Sequence, residues 1–428
     1  MKKYINPPAK ELSDILRRPT QTVTDLEPLV KQVFEEIQEK GDEALYKYTS
    51  LFDGVTPDSL ELSAEQISSA AEKVPESLKT AIKRAYDNIS AFHRAQRTER
   101  VEVETAPGVS CWQEKRPIEK VGLYIPGGSA PLFSTVLMLA IPAQLAGCRE
   151  IVLCSPPDKE GKIHPAILYT ANLCGVTRIF TLGGIQAIGA MTFGTTTVPP
   201  VYKIFGPGNQ YVTVAKQLAT RFGIAIDMPA GPSELMVVAD DSARPEYVAA
   251  DLLSQAEHGP DSQVILVSTS SKLIGSTREA LDAQITSLPR RDIAEQAISN
   301  SVAIHVGSQE ECLKIANLYG PEHLIVCLED DTDFVKEISN AGSVFLGNYT
   351  PESAGDYASG TNHTLPTNGY ARQYSGVNLD SFLKSVTFQK ISKSGIRDLG
   401  PAIETMAEAE GLKAHSLAVS VRLKDLQS

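Results

Sequence analysis

The chain has 428 residues, of which 42% are hydrophobic and 21% are charged, and its formal net charge is −12 at pH 7. This composition is typical of a globular protein with a sizeable core and excludes a disordered chain. The excess negative charge repels phosphate backbones, so we expect no nucleic acid partner.

The N-terminal sequence MKKYINPPAKELSDILRRP has two lysines but no apolar segment behind them, so we expect no secretory signal. Residues 1 to about 100 are predicted to be helical, because apolar residues recur at three- and four-residue steps. The next segment, VEVETAPGVSCWQEKRPI, alternates around a Pro-Gly turn, which predicts a pair of strands.

From residue 120 to 235, short apolar runs alternate with helical segments, which is typical of parallel strands joined by crossover helices. The most apolar window, LFSTVLMLAIPAQLAG, is short and contains Pro142 and Gln144. It therefore predicts a buried helix and not a membrane span. We expect a cytoplasmic protein without membrane contact.

Residues 236 to 372 repeat this plan, and after residue 370 the chain is predicted to be helical again. The predicted fold class is α/β, with two doubly wound parallel-sheet domains and small helical terminal segments. The predicted division is an N-terminal extension (1–24), a first α/β domain (25–119 with 236–372), a second α/β domain (120–235) and a C-terminal helical domain (373–428).

Two strand-to-helix turns are rich in glycine, GLYIPGG and IFGPGNQYVTVAKQL. Free N–H groups at such helix starts attract phosphate. Neither turn is a GxGxxG fingerprint, so a dinucleotide site and a plain tight turn remain equally open at this point. The chain has no Walker-type lysine–serine ending, which argues against a kinase or an ATPase.

The segment LLSQAEHGPDSQVILV ends a predicted helix with an amide and an imidazole on one side. Gln255 and His258 are three residues apart and share a helix face, and Gly259 and Pro260 end the helix. Taken alone, the pair is better interpreted as a surface Gln and a His stabilised by the helix dipole. One His and one Gln are a weak signal for a metal site.

Further histidines stand beside carboxylates in turn-rich segments. These segments are NLYGPEHLIV with Glu322 and His323, TPESAGDYASGTNHTLPTNG with Glu352, Asp356 and His363, and EAEGLKAHSLAV with Glu410 and His415. Each is more readily structural when taken singly, but together with His258, four of the seven histidines of the chain stand beside a carboxylate or an amide in turn-rich contexts. Nitrogen and oxygen ligands without thiolate favour Zn²⁺ in a catalytic role, or Mn²⁺ or Co²⁺ in its place.

The ordered set of motifs resembles the histidinol dehydrogenase family over nearly the whole chain. The motifs are GLYIPGG, FGPGNQYV, DMPAGPSE, LLSQAEHGPDSQ, GPEHL, GDYASGTNHTLPT and EGLKAHSLAV. The resemblance implies incomplete Rossmann-like domains and oxidation of L-histidinol to L-histidine through an enzyme-held aldehyde, with two NAD⁺, as the last step of histidine biosynthesis. It also implies a homodimer with shared active sites, in which the C-terminal helical domain docks on the partner subunit.

The resemblance further implies roles for residues that match the family's motif positions. The implied Zn²⁺ ligands, for one ion per subunit, are Gln255, His258, Asp356 and His415. The implied acid–base pair is Glu322 and His323, and a neutral imidazole with a pKa near ~6.5 suits a base. The implied substrate contacts are Ser233, Gln255, His258, His323, Asp356, His363, Glu410 and His415. The implied NAD contacts are Tyr124, Gln186 and Asn209.

Other classes of protein share parts of this pattern. A zinc-dependent hydrolase of a small imidazole or amine compound would use the same ligand types, although the sequence has no HExxH motif. A cysteine-based aldehyde dehydrogenase needs an activated thiolate, and Cys111 is the only one of six cysteines outside an apolar string. A non-enzymatic binding protein would not need histidines clustered with carboxylates.

Overall fold

The computed structural model describes residues 1–19, 26–127, 131–229 and 231–427. The end of the turn GLYIPGG, one residue of DMPAGPSE and the last residues of the predicted N-terminal extension lie outside these ranges. The described chain divides into two compact units, the first formed by 1–96 with 119–381 and the second by 97–118 with 382–428.

The bounds of the regular elements are as follows. The α-helices are α1 (Leu12–Ile15), α2 (Glu27–Lys40), α3 (Asp42–Asp53), α4 (Ala64–Glu72), α5 (Glu76–Ala95), α6 (Phe133–Ala146), α7 (Pro165–Leu173), α8 (Gly184–Phe193), α9 (Gln210–Ala219), α10 (Pro245–Ala256), α11 (Ser271–Gln284), α12 (Arg291–Ser299), α13 (Gln309–Tyr319), α14 (Thr332–Lys336), α15 (Glu352–Tyr357), α16 (Lys393–Ala409) and α17 (Lys413–Asp425). The strands are β1 (Lys2–Ile5), β2 (Val101–Ala106), β3 (Val109–Pro117), β4 (Lys120–Tyr124), β5 (Glu150–Ser155), β6 (Arg178–Thr181), β7 (Lys203–Phe205), β8 (Ala225–Ile226), β9 (Glu234–Ala239), β10 (Gln263–Ser268), β11 (Val302–His305), β12 (His323–Cys327), β13 (Ser343–Leu346) and β14 (Leu383–Ile391).

The first unit contains two parallel sheets. One has five strands in the order β6-β5-β4-β7-β8, and the other has six in the order β1-β11-β10-β9-β12-β13. In the five-stranded sheet the strand order reverses between β4 and β7. In the six-stranded sheet it reverses between β9 and β12. The prediction of two doubly wound parallel-sheet domains is confirmed.

The strands are apolar on both faces because helices cover both sides of each sheet. All six residues of β9 and all six of β10 are buried, as the continuous apolar runs predict. The most apolar window forms α6, in which residues 134–143 are all buried and Pro142 is accommodated inside the helix. Among the described residues, no helix combines the length and apolarity that a membrane crossing requires.

Helices α2 and α3 pack against the five-stranded sheet. Val30, Phe34 and Ile37 of α2 and Leu45 of α3 belong to the core that also contains Phe180 of β6. The predicted first α/β domain grouped residues 25–119 with 236–372, and the latter range contains most of the six-stranded sheet. In the structure, α2 and α3 instead contact α8, the helix that follows β6 of the five-stranded sheet. The domain boundaries themselves stay a prediction.

The second unit combines a three-stranded antiparallel sheet with a helical hairpin. Strands β2 and β3 form the predicted pair, and β14 adds to β3 in the order β14-β3-β2. The prediction that the chain is only helical after residue 370 is wrong for 383–391. Phe388 of this strand stacks on Trp112 of β3, with ring centroids 5.3 Å apart, and this cross-strand pair helps to fix the strand in the sheet.

A buried ion pair fixes the second glycine-rich turn. Gly206 has φ 128°, and a Cβ there would lie 2.1 Å from the carbonyl oxygen of Tyr124, so only glycine fits. Lys216 Nζ donates to the Gly206 carbonyl at 2.7 Å, and Asp227 Oδ2 accepts from the Gly206 N–H at 2.8 Å. Lys216 and Asp227 also pair with each other, and both side chains are buried.

We expect Lys216→Met to lower the free energy of unfolding by about 3 kcal/mol, because it leaves the Asp227 carboxylate buried without its cation. Urea unfolding followed by circular dichroism measures this change. The matched control is Lys314→Met, which removes an exposed i,i+4 pair with Glu310 and should have no measurable effect. Equal destabilisation by the two variants would contradict a special role for the buried pair.

Candidate active site

The predicted catalytic residues lie at the amino edge of the six-stranded sheet. His323 is the first residue of β12, and Glu234 is the first residue of the neighbouring β9. Helix α10 follows β9 and runs back across the sheet, so its C-terminal end brings Gln255 and His258 to the same edge. Ligands of open α/β sheets usually bind at the opposite, carboxyl ends of the strands.

His323 is surrounded by three carboxylates. Its Nδ1 lies 3.7 Å from Glu322 Oε2 and 3.5 Å from Glu352 Oε1, and its Nε2 lies 3.6 Å from Asp356 Oδ1. Glu352 and Asp356 are one turn apart on α15 and therefore share a helix face. The imidazole and the Glu352 side chain are almost completely buried, with exposed fractions of 4% and 1%.

These charges shift the pKa values of the cluster. Burial alone lowers the pKa of His323, but the carboxylates of Glu322, Glu352 and Asp356 outweigh it and raise that pKa above its usual range. Burial also raises the pKa of Glu322 and of Glu352, because their carboxylates are crowded together away from water. The cluster therefore shares protons, and His323 does not have the ordinary imidazole pKa expected from the sequence.

Glu322 and the start of β9 are fixed by a second ion pair. The Glu234 backbone N–H donates to Glu322 Oε2 at 2.9 Å, while the Glu234 carboxylate pairs with Arg18. The Arg18 guanidinium also stacks on the ring of Tyr319, 3.9 Å from its centroid, and donates to the Tyr319 carbonyl at 2.9 Å. The N-terminal segment thus helps to hold Glu322 in position.

The cluster has donor atoms suited to a divalent cation. The ligand atoms of His323, Glu352 and Asp356 all lie within 4.8 Å of one another. Gln255 Oε1, His323 Nε2 and Glu352 Oε1 are buried and have no hydrogen-bond partner among the described residues. Gln255 Nε2 lies 3.0 Å from His258 Nδ1, and His258 interacts electrostatically with Asp356. Such a nitrogen and oxygen set fits Zn²⁺ or a similar ion, and it includes Glu352, which the predicted ligand set lacks.

Two further predicted residues border this cluster. His363 Nδ1 lies 2.8 Å from the Asp356 carbonyl oxygen, and its Nε2 lies 3.2 Å from Thr135 Oγ1. Thr135 is in the first turn of α6, so His363 connects the cluster to the helix that follows β4. Ser233 is half-buried and directly precedes β9. Both positions are compatible with contact to a small substrate.

The three predicted NAD positions gather at the switch point of the five-stranded sheet. Tyr124 ends β4, and its hydroxyl accepts from the Gly184 N–H at 3.1 Å. Asn209 caps α9 by accepting from the Val212 N–H at 3.1 Å. Both residues line a cleft of about 630 Å³. Gln186 is fully buried behind it, and its Nε2 donates to Asp53 Oδ2 at 2.9 Å.

Glu410 and His415 belong to the second unit. Glu410 directly follows α16, and His415 is in the first turn of α17. Both side chains are exposed in the single chain. The other predicted metal, catalytic and substrate residues lie in the first unit.

The cysteines give no support to a thiolate mechanism. Cys111 lies in β3 of the second unit. Burial raises the pKa of each thiol in the first unit, namely Cys148, Cys154, Cys174, Cys312 and Cys327. None of these five is therefore an activated nucleophile.

Sequence reasoning named Glu352 among the carboxylates near a histidine but assigned it no role, and it did not single out Asp53. The i,i+4 spacing of Glu352 and Asp356 could have revealed their shared face, but their segment has the composition of a loop, and only the fold makes it a helix. Asp53 ends α3 before Gly54, and its sequence context carries no signal for a binding site. Its position depends on the packing of α3.

Comparison with known proteins gives a consistent result. Residues 16–423 match the family model described as histidinol dehydrogenase. The chain is 56% identical to the histidinol dehydrogenase of Bacteroides thetaiotaomicron over 428 residues, covering 100% of each chain. It is 52% identical to that of Aliivibrio fischeri over 415 residues, covering 96% of this chain and 94% of the relative. The crystal structure of histidinol dehydrogenase from Elizabethkingia anophelis superposes with a TM-score of 0.98 at 58% identity, covering 100% of this chain and 99% of that chain.

We expect Asp356→Asn to weaken Zn²⁺ binding at least ~10-fold, because it removes the negative charge of a proposed ligand. Isothermal titration of the metal-free protein with Zn²⁺ measures the affinity. Glu257→Gln is the matched control, since it removes a carboxylate from the residue between Gln255 and His258 that is not part of the cluster. Unchanged affinity in Asp356→Asn would rule out this carboxylate as a ligand.

Proposed function

The chain belongs to the histidinol dehydrogenase family, and we propose that it oxidises L-histidinol to L-histidine with Zn²⁺ and NAD, through an L-histidinaldehyde that stays bound. As a histidinol dehydrogenase it is an oxidoreductase of histidine biosynthesis. The observation that carries the zinc and acid–base part of the proposal is the buried His323 among three carboxylates, beside Gln255 and His258. Family membership sets aside the hydrolase and thiolate alternatives.

We assign the metal to Gln255, His258 and Asp356, with His415 of the partner subunit as the fourth ligand. The unpartnered Gln255 Oε1 supports this assignment, since a buried amide oxygen without a partner is costly. A bound cation would orient the imidazole and amine of the substrate and reduce the negative potential around His323. Glu352 holds the other side of the His323 ring and is the alternative carboxylate ligand.

His323 is the proposed base. In the first oxidation His323 takes the proton of the substrate hydroxyl, while a hydride leaves the carbon that bears this hydroxyl. Once His323 has released this proton, Glu322 helps to activate the water that adds to the aldehyde, and His323 accepts a second proton in the second oxidation. NAD bound in the cleft would supply the hydride acceptor for both oxidations, so two NAD would be reduced for each histidinol. Burial of the site keeps the reactive aldehyde from escaping into water.

The proposed homodimer would complete each site with residues of the partner. In the second unit, the hairpin of α16 and α17 carries large apolar side chains that are exposed in the single chain, namely Met406, Leu412 in the connecting turn, Leu417 and Val421. Exposed apolar groups concentrated on one small unit favour a protein–protein contact. Glu410 and His415 lie on the same hairpin and would be carried into the partner's site.

The proposed reaction predicts two NADH for each molecule of L-histidinol consumed. Activity should disappear after incubation with a metal chelator and return on addition of Zn²⁺. Absorbance at the NADH band, combined with quantification of histidine, gives the ratio. A ratio of one would mean that the second oxidation is missing and that Glu322 is misassigned. Unchanged turnover in chelator would refute the metal's role.

The shared site predicts that two inactive variants complement each other. His323→Asn should keep its zinc but lose most turnover, and His415→Ala should also be nearly inactive. After subunit exchange, half of the dimers carry one intact site of two, so activity should recover to about a quarter of the wild-type value. Zinc analysis and steady-state rates measure both effects.

The control for this complementation is His323→Asn mixed with a second preparation of itself. That mixture should stay inactive. If the mixture of His323→Asn and His415→Ala also stays inactive after proven exchange, both residues act within one subunit and the shared-site proposal fails.

A further inference from the structure

We propose that Asp53 accepts a hydrogen bond from the 2′-hydroxyl of the adenosine ribose and makes the cleft select NAD over NADP. This inference rests on the proposed use of NAD. Asp53 would contact the ribose directly, and Gln186 would position the Asp53 carboxylate through its hydrogen bond. None of the motifs that carry the resemblance includes Asp53.

The carboxylate of Asp53 faces the cleft with one oxygen already held. Asp53 is the last residue of α3 and lines the cleft, whereas Gln186 is fully buried. Gln186 Nε2 donates to Asp53 Oδ2 at 2.9 Å, which orients the carboxylate. The other oxygen, Oδ1, has no hydrogen bond or ion pair with the described residues that would compete with a ligand hydroxyl.

The position of Asp53 matches what a doubly wound sheet needs for this contact. In such sheets an acidic side chain near the end of the second strand accepts from the adenosine ribose. Here Pro156 directly follows the second strand, β5, and a Cβ on Gly183, after β6, would lie 2.5 Å from Pro156 Cβ and 3.1 Å from Asp53 Oδ1. The carboxylate therefore lies at the β5–β6 side of the cleft, although it comes from a helix outside the sheet.

The neighbours of Asp53 suit an adenosine. Leu51 and Phe52 directly precede it, line the same cleft and are 65% and 42% exposed. They offer an apolar surface for a purine beside the hydrogen-bond acceptor for its ribose.

Charge explains the selection against NADP. Burial raises the pKa of Asp53 to about 6, while the hydrogen bond from Gln186 opposes this shift. The carboxylate is therefore mainly ionised at neutral pH. No described lysine or arginine forms an ion pair with it, so a 2′-phosphate would meet an uncompensated negative charge.

Calorimetric titration of the zinc-loaded full-length protein tests this assignment without turnover. The ligands are NAD, NADP and NAD with a 2′-deoxyadenosine. We expect Asp53→Ala to weaken NAD binding about tenfold, to leave the 2′-deoxy ligand unaffected, and to lower the ratio of the NADP and NAD dissociation constants by at least tenfold. Asp53→Asn, which keeps the shape and the Gln186 contact, should shift the same ratio in the same direction.

The matched control is Asp58→Asn, which removes an exposed carboxylate five residues away and should change none of the three affinities. Equal weakening of all three ligands by Asp53→Ala and Asp53→Asn would overturn the proposal, and so would unchanged affinities in both. If the wild-type protein binds NAD and reduces it with histidinol, such a result removes only the role of Asp53. If the wild type binds no NAD, the proposed function itself fails.

Discussion

The crowding of three carboxylates around one buried imidazole is the constraint on which the rest of the site depends. Ionised groups are costly to bury unless opposite charge and hydrogen bonds compensate them. Here a single His323 faces Glu322, Glu352 and Asp356, so the chain alone leaves negative charge in excess. A divalent cation is the simplest compensation, and the unpartnered atoms of Gln255, His323 and Glu352 mark where its ligands are available.

Two sheets of the same plan would supply different halves of the proposed chemistry. The six-stranded sheet presents its amino edge to the acid–base cluster, while the five-stranded sheet presents its carboxyl edge to the cleft. His363 joins them through Thr135 on α6. One ion pair supports each half. The partly buried pair of Arg18 and Glu234 lies behind Glu322, and the buried pair of Lys216 and Asp227 holds the turn before α9. The same architecture thus carries a buried cluster of charged groups at one sheet and a cleft at the other.

Sequence periodicity was sufficient for the fold class, since buried parallel strands are continuous apolar runs and their helices are amphipathic. It missed β14, where Leu383, Val386 and Phe388 give only a partial alternation within a segment otherwise rich in helices. It also did not reveal that α2 and α3 cover the five-stranded sheet, because amphipathic helices do not specify their partners. The spacing of Glu352 and Asp356 becomes informative only once their segment is known to be a helix, whereas the position of Asp53 depends on packing that no local pattern encodes.

Strand β1 is synthesised long before the strand with which it pairs. Residues 2–5 pair with 302–305, almost at the other end of the first unit. At about 5–20 residues per second, the ribosome needs roughly 15 to 60 s to make the intervening chain. During that time the earliest strand has no partner, and Arg18 has no Glu234 until residue 234 is made. Translation speed therefore sets how long an unpaired edge and an incomplete reaction centre are exposed to chaperones and to other nascent chains.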